Sequence, residues 1–319
     1  MTLPMITIGI ATYDAEKTLK KAVHSALNQR WRPLEIIVVD DCSKDRTQKI
    51  LIDLAYKHKE IKYFINDKNF GIAFVRNKII NNSRGEFLAF FDDDDESLQN
   101  RLIMQYQRIV NYEKNFSPNS PVICHTSRKV FYPNGVIQIH PTIGTNINNY
   151  SPSGSAVAER ILLGKPLKDG YGSCPTCSQM ARLSTYKEAG GFDNSFRRSE
   201  DTELCIKLAL LGAHFVGIEA PLVNQIMTNS PDKSIDIEFK YTSLLIKKYE
   251  NFIKKKGDFK FCLKWLKIKY QFSQGNFFKM TINFFYLFIQ NPFETFRRLI
   301  NSFPRLNLNI NFSNFHKGR

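Results

Sequence analysis

The residues best suited to chemistry lie in Gly-Glu-Phe-Leu-Ala-Phe-Phe-Asp-Asp-Asp-Asp-Glu at 85–96. Phe87 to Phe91 form an apolar run too short for a buried helix but suited to a strand covered on both faces, as in a parallel sheet. The run stops at Asp92, Asp93, Asp94 and Asp95. In open α/β sheets ligands bind at the carboxyl ends of strands. Neighbouring carboxylates repel one another unless a cation holds them, and Mg2+ or Mn2+ takes oxygen ligands and links carboxylates to a substrate's phosphates. The competing reading of the same four acids is a solvated turn.

A second apolar run, Leu34 to Val39, also ends in acid, at Asp40 and Asp41, and the two acidic clusters are expected at neighbouring strand ends. One such carboxylate can accept a hydrogen bond from a base or ribose while the other cluster holds a metal. Asp41 reads as ordering the turn that follows.

The elements that must position these acids alternate. Met5 to Ala11 reads as a first strand, with Asp14 capping a helix whose inner face is Leu19, Val23, Ala26 and Leu27. A helix over Thr47 to His58 leads to a strand at Ile61 to Ile65, and a helix carrying Ile72, Val75 and Ile79 leads to the Phe87 strand. Strand and helix in alternation predict right-handed crossovers and an α/β fold with a mostly parallel sheet flanked by helices.

Residues 5–95 resemble the family 2 glycosyltransferases of the GT-A fold. The resemblance is carried by Ile-Ala-Thr-Tyr at 10–13, Val-Val-Asp-Asp-Cys-Ser-Lys-Asp-Arg-Thr at 38–47, Asn69-Phe-Gly71, Arg76-Asn77 and the Asp-x-Asp cluster. It implies a Rossmann-like nucleotide-diphospho-sugar fold, a nucleotide-sugar donor (most often a UDP-sugar) and Mn2+ or Mg2+. It further implies that Asp40 contacts the base, that Ala11 and Tyr13 line the nucleoside pocket, and that Asn69 and Arg76 approach the donor. Asp92 and Asp94 correspond to the metal pair, with Asp94 nearest the ion, and Asp93 and Asp95 belong to the donor side, Asp95 on the sugar. Tyr13 as a packing residue and Arg76 as an exposed helix residue remain the plain alternatives.

Beyond residue 97 a helix over Leu98 to Tyr112 and an antiparallel pair, Pro121 to Phe131 and Val136 to Ile139, are expected. Residues 140–175, rich in Gly, Pro, Ser and Asn, read as a long functional loop. Cys174-Pro-Thr-Cys177 has no second Cys pair or nearby His in the sequence and reads as structural thiols. Met180 to Arg182 reads as a strand. The stretch 185–193 resembles the family's approach to its acidic motif, here Glu200-Asp201, which opens a helix with Leu204, Leu208 and Leu211 inward. By that resemblance Asp201 is the general base and Glu200 an acceptor contact; the rival is a pair of acids favoured by the helix dipole. In-line attack would invert the anomeric centre. Many relatives place a metal-binding His after the strand that is Pro221-Leu222-Val223 here, but Asn224, Gln225, Thr228 and Asn229 follow, which leaves the third metal ligand unassigned. His214 comes too early and reads as structural. The Gln-x-x-Arg-Trp motif of processive synthases is missing around Trp31 and Trp265, so transfer of one sugar per encounter is expected.

The organisation read from the chain is a catalytic domain, 1–230, divided into a nucleotide half (1–97) and an acceptor half (98–230), followed by a helical extension, 231–319. That extension carries 17 Lys and Arg against 6 Asp and Glu, so +11 of the formal +15 lies there, with 20 of the 41 aromatics. Phe277 to Ile289 is too short and polar to span a bilayer. Lys-rich helices bearing Trp265, Tyr270, Phe272, Phe277 and Phe284 suit an anionic membrane surface and a lipid-linked acceptor, or equally a cap packed on the sheet. No nucleic-acid module is recognisable, and no nucleic acid partner is expected. Six scattered cysteines and no charged-then-apolar leader predict a cytoplasmic chain, on the inner membrane face if the extension binds lipid.

The function expected is transfer of a sugar to a glycan or lipid-linked acceptor in surface polysaccharide synthesis. A sugar-1-phosphate nucleotidyltransferase shares the sheet, but would want a Gly-rich turn where Thr12-Tyr13-Asp14 stands. A non-catalytic basic module that binds lipid or nucleic acid is the other class.

Overall fold

The computed structural model describes residues 3–228, 234–302, 310, 311 and 315. Four parallel strands form the first half of the sheet: β1 (Ile6–Thr12), β2 (Leu34–Asp40), β3 (Ile61–Ile65) and β4 (Phe87–Asp92), in the order β3-β2-β1-β4. β1 and β2 are buried throughout, which is why their sequences are continuous apolar runs. The helices of this half are α1 (Leu19–Leu27), α2 (Thr47–Lys57) and α3 (Ile72–Asn82). They divide between the faces, with α1 and α2 joining one core cluster and α3 the other.

Two positions hold α3 in place. A Cβ on Gly9 of β1 would stand 2.4 Å from Ile79 Cγ2, so only glycine lets helix and strand approach this closely. Gly71, at the amino end of α3, has φ +91°, a conformation other residues rarely adopt.

After the short β5 (Glu96–Ser97), α4 (Arg101–Phe116) packs beside α1 and α2. The second half of the sheet is mixed. β6 (Val122–Phe131) pairs antiparallel with β7 (Ile137–His140) and with β8 (Gln179–Arg182), and β8 runs antiparallel to β4. β9 (His214–Ile226) lies parallel to β6 and carries β5 antiparallel on its far side. The helices α5 (Gly154–Leu163), α6 (Leu183–Glu188) and α7 (Glu200–Leu210) cover the α3 face.

Four expectations need correction. Asp14 does not cap α1: it has φ +49°, Thr18 precedes the helix, and the Asp14 carboxylate instead accepts from Lys44 N at 2.7 Å. The 140–175 segment contains α5, whose Val157, Ala158, Leu162 and Leu163 are buried. Leu211 lies just past α7 and is exposed. The strand ends bearing Asp40 and Asp92 are separated by β1 rather than adjacent.

Beyond β9 the chain forms α8 (Ile235–Lys248), α9 (Glu250–Lys256), α10 (Phe259–Ser273), α11 (Phe277–Gln290) and α12 (Pro292–Ser302). The first three do not stand apart from the sheet domain. Leu245, Ile246, Tyr249, Ile253 and Cys262 join the same core cluster as Leu163 and Leu208. Trp265 and Phe284, read above as facing either a membrane or the sheet, turn inward with Phe261, Ile268 and Leu287. Among the described residues no helix is long and apolar enough to cross a membrane.

Candidate active site

The site begins where β1, β2 and β4 end. Strand register sets Thr12 opposite Asp40 and Ala11 opposite Asp92, so the residues after β1 lie between the two acidic strand ends. Tyr13 N donates to Asp93 Oδ2 at 3.1 Å, which ties this turn to the acid cluster. The Tyr13 side chain is about half exposed, Ala11 is buried and Asn69 is exposed.

Asp40 and Asp41 are both buried. Asp40 accepts from Ser43 N and Gln48 Nε2, each at 3.0 Å, and from Ser43 Oγ. Asp41 accepts from Asn66 Nδ2, Phe70 N and Gly71 N at 2.8–3.0 Å. It therefore orders the turn into α3, whereas the turn that directly follows β2, which Asp41 was expected to order, is held by Asp40 through Ser43.

The four aspartates at the end of β4 diverge. Asp92 meets Arg76 Nη2 at 3.2 Å, and Asp94 Oδ2 accepts from Thr228 Oγ1 at 2.7 Å. Asp95 is buried against β9, with Oδ1 accepting from Ile226 N at 3.1 Å while Oδ2 has no hydrogen-bond partner. Burial and the neighbouring Asp94 push the Asp93 carboxyl up to about 7, and burial with Asp92 and Asp94 raises Asp95 well above the usual range. Carboxylates crowded to this degree, one with an unmade buried bond, are an oxygen donor set that suits a hard divalent cation such as Mg2+ or Mn2+.

Arg76 brings the second acidic pair to this cluster. It is buried on α3, with Nη1 2.6 Å from Glu200 Oε1, Nη2 on Asp92 and the guanidinium over the Phe192 ring at 5.4 Å. The plain reading of Arg76 as an exposed helix residue is thereby excluded. Burial raises the Glu200 carboxyl although Arg76 acts in the opposite direction. Asp201, one residue further into α7, is half-buried, and its Oδ1 accepts from Thr202 N at 2.6 Å and Thr202 Oγ1 at 3.2 Å. The clusters at 92–95 and 200–201, more than a hundred residues apart in the chain, thus share one side chain.

Three contributions were not legible in the sequence. Asn77 donates to Phe192 O at 2.8 Å and accepts from Phe192 N at 2.7 Å, holding the loop that leads to α7. The Arg76-Asn77 pair was its only signal. Arg128, buried on β6, donates to Gln225 and to Ser173 Oγ at 3.0 Å and lowers the Asp95 carboxyl somewhat. Thr228, in the segment where relatives carry His, supplies the contact on Asp94. Asn229 lies outside the described residues. His214 is structural, with Nδ1 2.9 Å from the Tyr112 hydroxyl.

Cys177 is buried within 4.8 Å of ligand atoms of Asp92 and Asp95, whereas Cys174 lies beside Cys205 and His125. The nearby His that the sequence did not reveal comes from β6. Its closeness across the sheet could not be read from spacing.

Residues 7–156 match the family described as glycosyl transferase family 2. The chain is similar to an uncharacterised glycosyltransferase of Haemophilus influenzae, 31% identical over 145 residues, covering 41% of this chain and 57% of that protein. It is also similar to the GalNAc(5)-diNAcBac-PP-undecaprenol beta-1,3-glucosyltransferase of Campylobacter jejuni, 36% identical over 108 residues, covering 33% and 35% respectively. The chain thus spans little more than half of the first of these relatives and about a third of the second. Among solved structures it resembles S. aureus TarS 1-349 in complex with UDP-GlcNAc, with a TM-score of 0.61 at 17% identity over 98% of this chain and 90% of that one.

Proposed function

For a chain whose residues 7–156 match glycosyl transferase family 2 and whose fold resembles that of TarS, we propose a GT-A glycosyltransferase that carries out non-processive, inverting transfer of a sugar from a UDP-sugar to a glycan or lipid-linked acceptor. The observation that carries the reading is the Arg76 bridge, which joins a metal-suited carboxylate cluster to an acid pair at a helix start.

In this reading the UDP moiety lies over the ends of β1 and β2, with Ala11, Tyr13 and Asp40 on the nucleoside side and Asn69 near the donor. Asp92 and Asp94 would hold Mn2+ or Mg2+, which when bound neutralises charge on the departing diphosphate. Asp93 and Asp95 complete the donor wall. The acceptor hydroxyl attacks the anomeric carbon as the bond to the diphosphate oxygen breaks, and its proton passes to a carboxylate. Glu200 is committed to Arg76, so Asp201 is the residue assigned to take that proton, with Glu200 on the acceptor. Attack opposite the leaving group inverts the centre. The donor follows the TarS complex and the lipid-linked acceptor follows the named relative, while the setting in surface polysaccharide synthesis is the expectation from the sequence.

The membrane contact expected of the extension is assigned to α11 and α12. Phe278, Ile282, Phe285, Ile289, Phe293, Phe296 and Ile300 are all exposed on these two consecutive helices. The segment 231–319 carries +11 of the chain's net +15, which complements anionic lipid. A chain seated this way on the inner leaflet would meet a lipid-linked acceptor there.

The test is nucleotide release from a panel of UDP-sugars with Mn2+ or Mg2+, with and without acceptor. Transfer that requires the ion and is lost in Asp94→Ala supports the reading; full activity in chelator, or in Asp94→Ala, would overturn it. Membrane seating is tested by liposome flotation of the full chain against Phe278→Ser/Phe285→Ser/Phe293→Ser. Equal recovery of both proteins on anionic vesicles would remove it.

A further inference from the structure

The thiol cluster away from the acidic site has the makings of a second metal centre. His125 on β6, Cys174 in the loop before β8 and Cys205 on α7 offer ligand atoms that all lie within 4.8 Å of one another. They come from three separate parts of the chain. His125 and Cys205 are fully buried, while Cys174 is half-buried.

The imidazole is the informative member. Its Nε2 is 3.0 Å from the Gln179 side-chain amide, while Nδ1 is buried with no hydrogen-bond partner. A histidine with one nitrogen engaged by an amide and spare capacity on the other has the arrangement by which neighbouring groups orient a metal-bound ring. Burial and the charges of Arg128 and Arg101 push the ring below its usual range, which favours its neutral form. A disulfide between Cys174 and Cys205 would use the two sulfurs but leave the buried Nδ1 unsatisfied.

We propose that His125, Cys174 and Cys205 form a binding site for a thiophilic divalent ion, zinc by chemical class. Two thiolates and a neutral imidazole around a divalent cation sum to zero charge, which a buried site can tolerate where a lone dication could not. Binding displaces one proton from each thiol to solvent, and no oxidant or reductant is required. Imidazole with thiolate selects zinc over Mg2+ or Mn2+, so this centre does not compete for the ion suited to the carboxylates at 92–95. With three protein ligands, a fourth position of a four-coordinate ion would fall to water.

The consequence is positional. Cys205 stands four residues, about one helical turn, after Asp201 on α7. Cys174 begins the segment that ends at Cys177 beside Asp92 and Asp95. A metal joining Cys174 to Cys205 therefore fastens α7 to the loop flanking the acid cluster, and His125 anchors both to the sheet. This inference does not depend on the sugar-transfer reading.

The experiment uses the full chain purified without chelator. Zinc content is measured by atomic emission after dialysis, and apo protein is titrated with Co2+ while thiolate-to-metal charge-transfer absorption is followed. The expected result is about one zinc per chain, with intense Co2+ bands that disappear in Cys174→Ser and persist in Cys262→Ser. Because Cys174 is half-buried and serine is nearly isosteric, this variant is expected to fold, and far-UV circular dichroism checks that it does. His125→Gln supplies an independent arm and should weaken zinc retention at least tenfold. Zinc-free protein without charge-transfer bands would overturn the proposal, as would wild-type binding in Cys174→Ser. So would a thiol count two short of six in metal-free protein, which marks a disulfide instead.

Discussion

Arg76 Nη1 stands 2.6 Å from Glu200 Oε1 across 124 residues of chain. Both side chains are buried, so the pair forms within the core cleft rather than on the surface. The same guanidinium reaches Asp92, and β4, α3 and α7 are thereby registered against one another at the site.

Removing this arginine should therefore damage both stability and chemistry. Arg76→Ala leaves Glu200 buried without its partner, a change expected to cost about 3–5 kcal/mol. Arg76→Lys keeps one charge but not the two-pronged reach, and is expected to recover part of the stability without restoring transfer. Chemical denaturation, and kcat measured where each variant is folded, separate the two effects.

If Asp201 has the proposed role of proton acceptor, Asp201→Asn should lower kcat by about 10²–10⁴ with little change in donor KM. Glu200→Gln also loosens Arg76 and should raise acceptor KM as well. Steady-state kinetics with donor and acceptor varied separately distinguish them; identical profiles for the two variants would undo the division of roles.

Acid should loosen the attachment of α8. The Asp193 carboxyl is held down at about 2 chiefly by hydrogen bonds from Lys248 and Ser195, which outweigh its burial. A depressed carboxylate contributes stability that is present above its unfolded value near 4 and lost as pH falls through 2. Melting points between pH 5 and pH 2 should fall less steeply in Asp193→Asn than in wild type.

Gly9→Ala forces a methyl to within 2.4 Å of Ile79 Cγ2. The branched methyl of Ile79 is stiff, so strand or helix must shift at a cost of about 1–3 kcal/mol. Unfolding by urea measures the loss, and unchanged stability would mean that α3 has more freedom than its packing implies.

The sheet could be read from the chain because strands buried on both faces leave continuous apolar runs, and Leu34 to Val39 and Phe87 to Phe91 have no other way to be satisfied. The acids were legible because they interrupt those runs abruptly. What stayed hidden depends on distant partners. Helical periodicity alone cannot say that Trp265 and Phe284 face inward while Phe278 and Phe285 face out, since aromatics occur on both sides of those helices. The helix at 154–163 was masked by its Gly, Pro and Ser flanks. Nothing local to His125 marks it as a neighbour of Cys174 and Cys205; only the pairing of β6 with β8 brings it there.

Glu203 is fully buried on α7, two residues after Asp201, and the Lys248 ammonium and Tyr249 hydroxyl converge on one of its oxygens. A graft exchanging the carboxyl-terminal helices between this chain and a relative would therefore disturb α7, and with it Asp201, as well as the surface. Changes of partner specificity in this chain should arise through paired substitutions on either side of that junction, and chimeras joined at residue 230 should be inactive unless Lys248 and Tyr249 travel with Glu203.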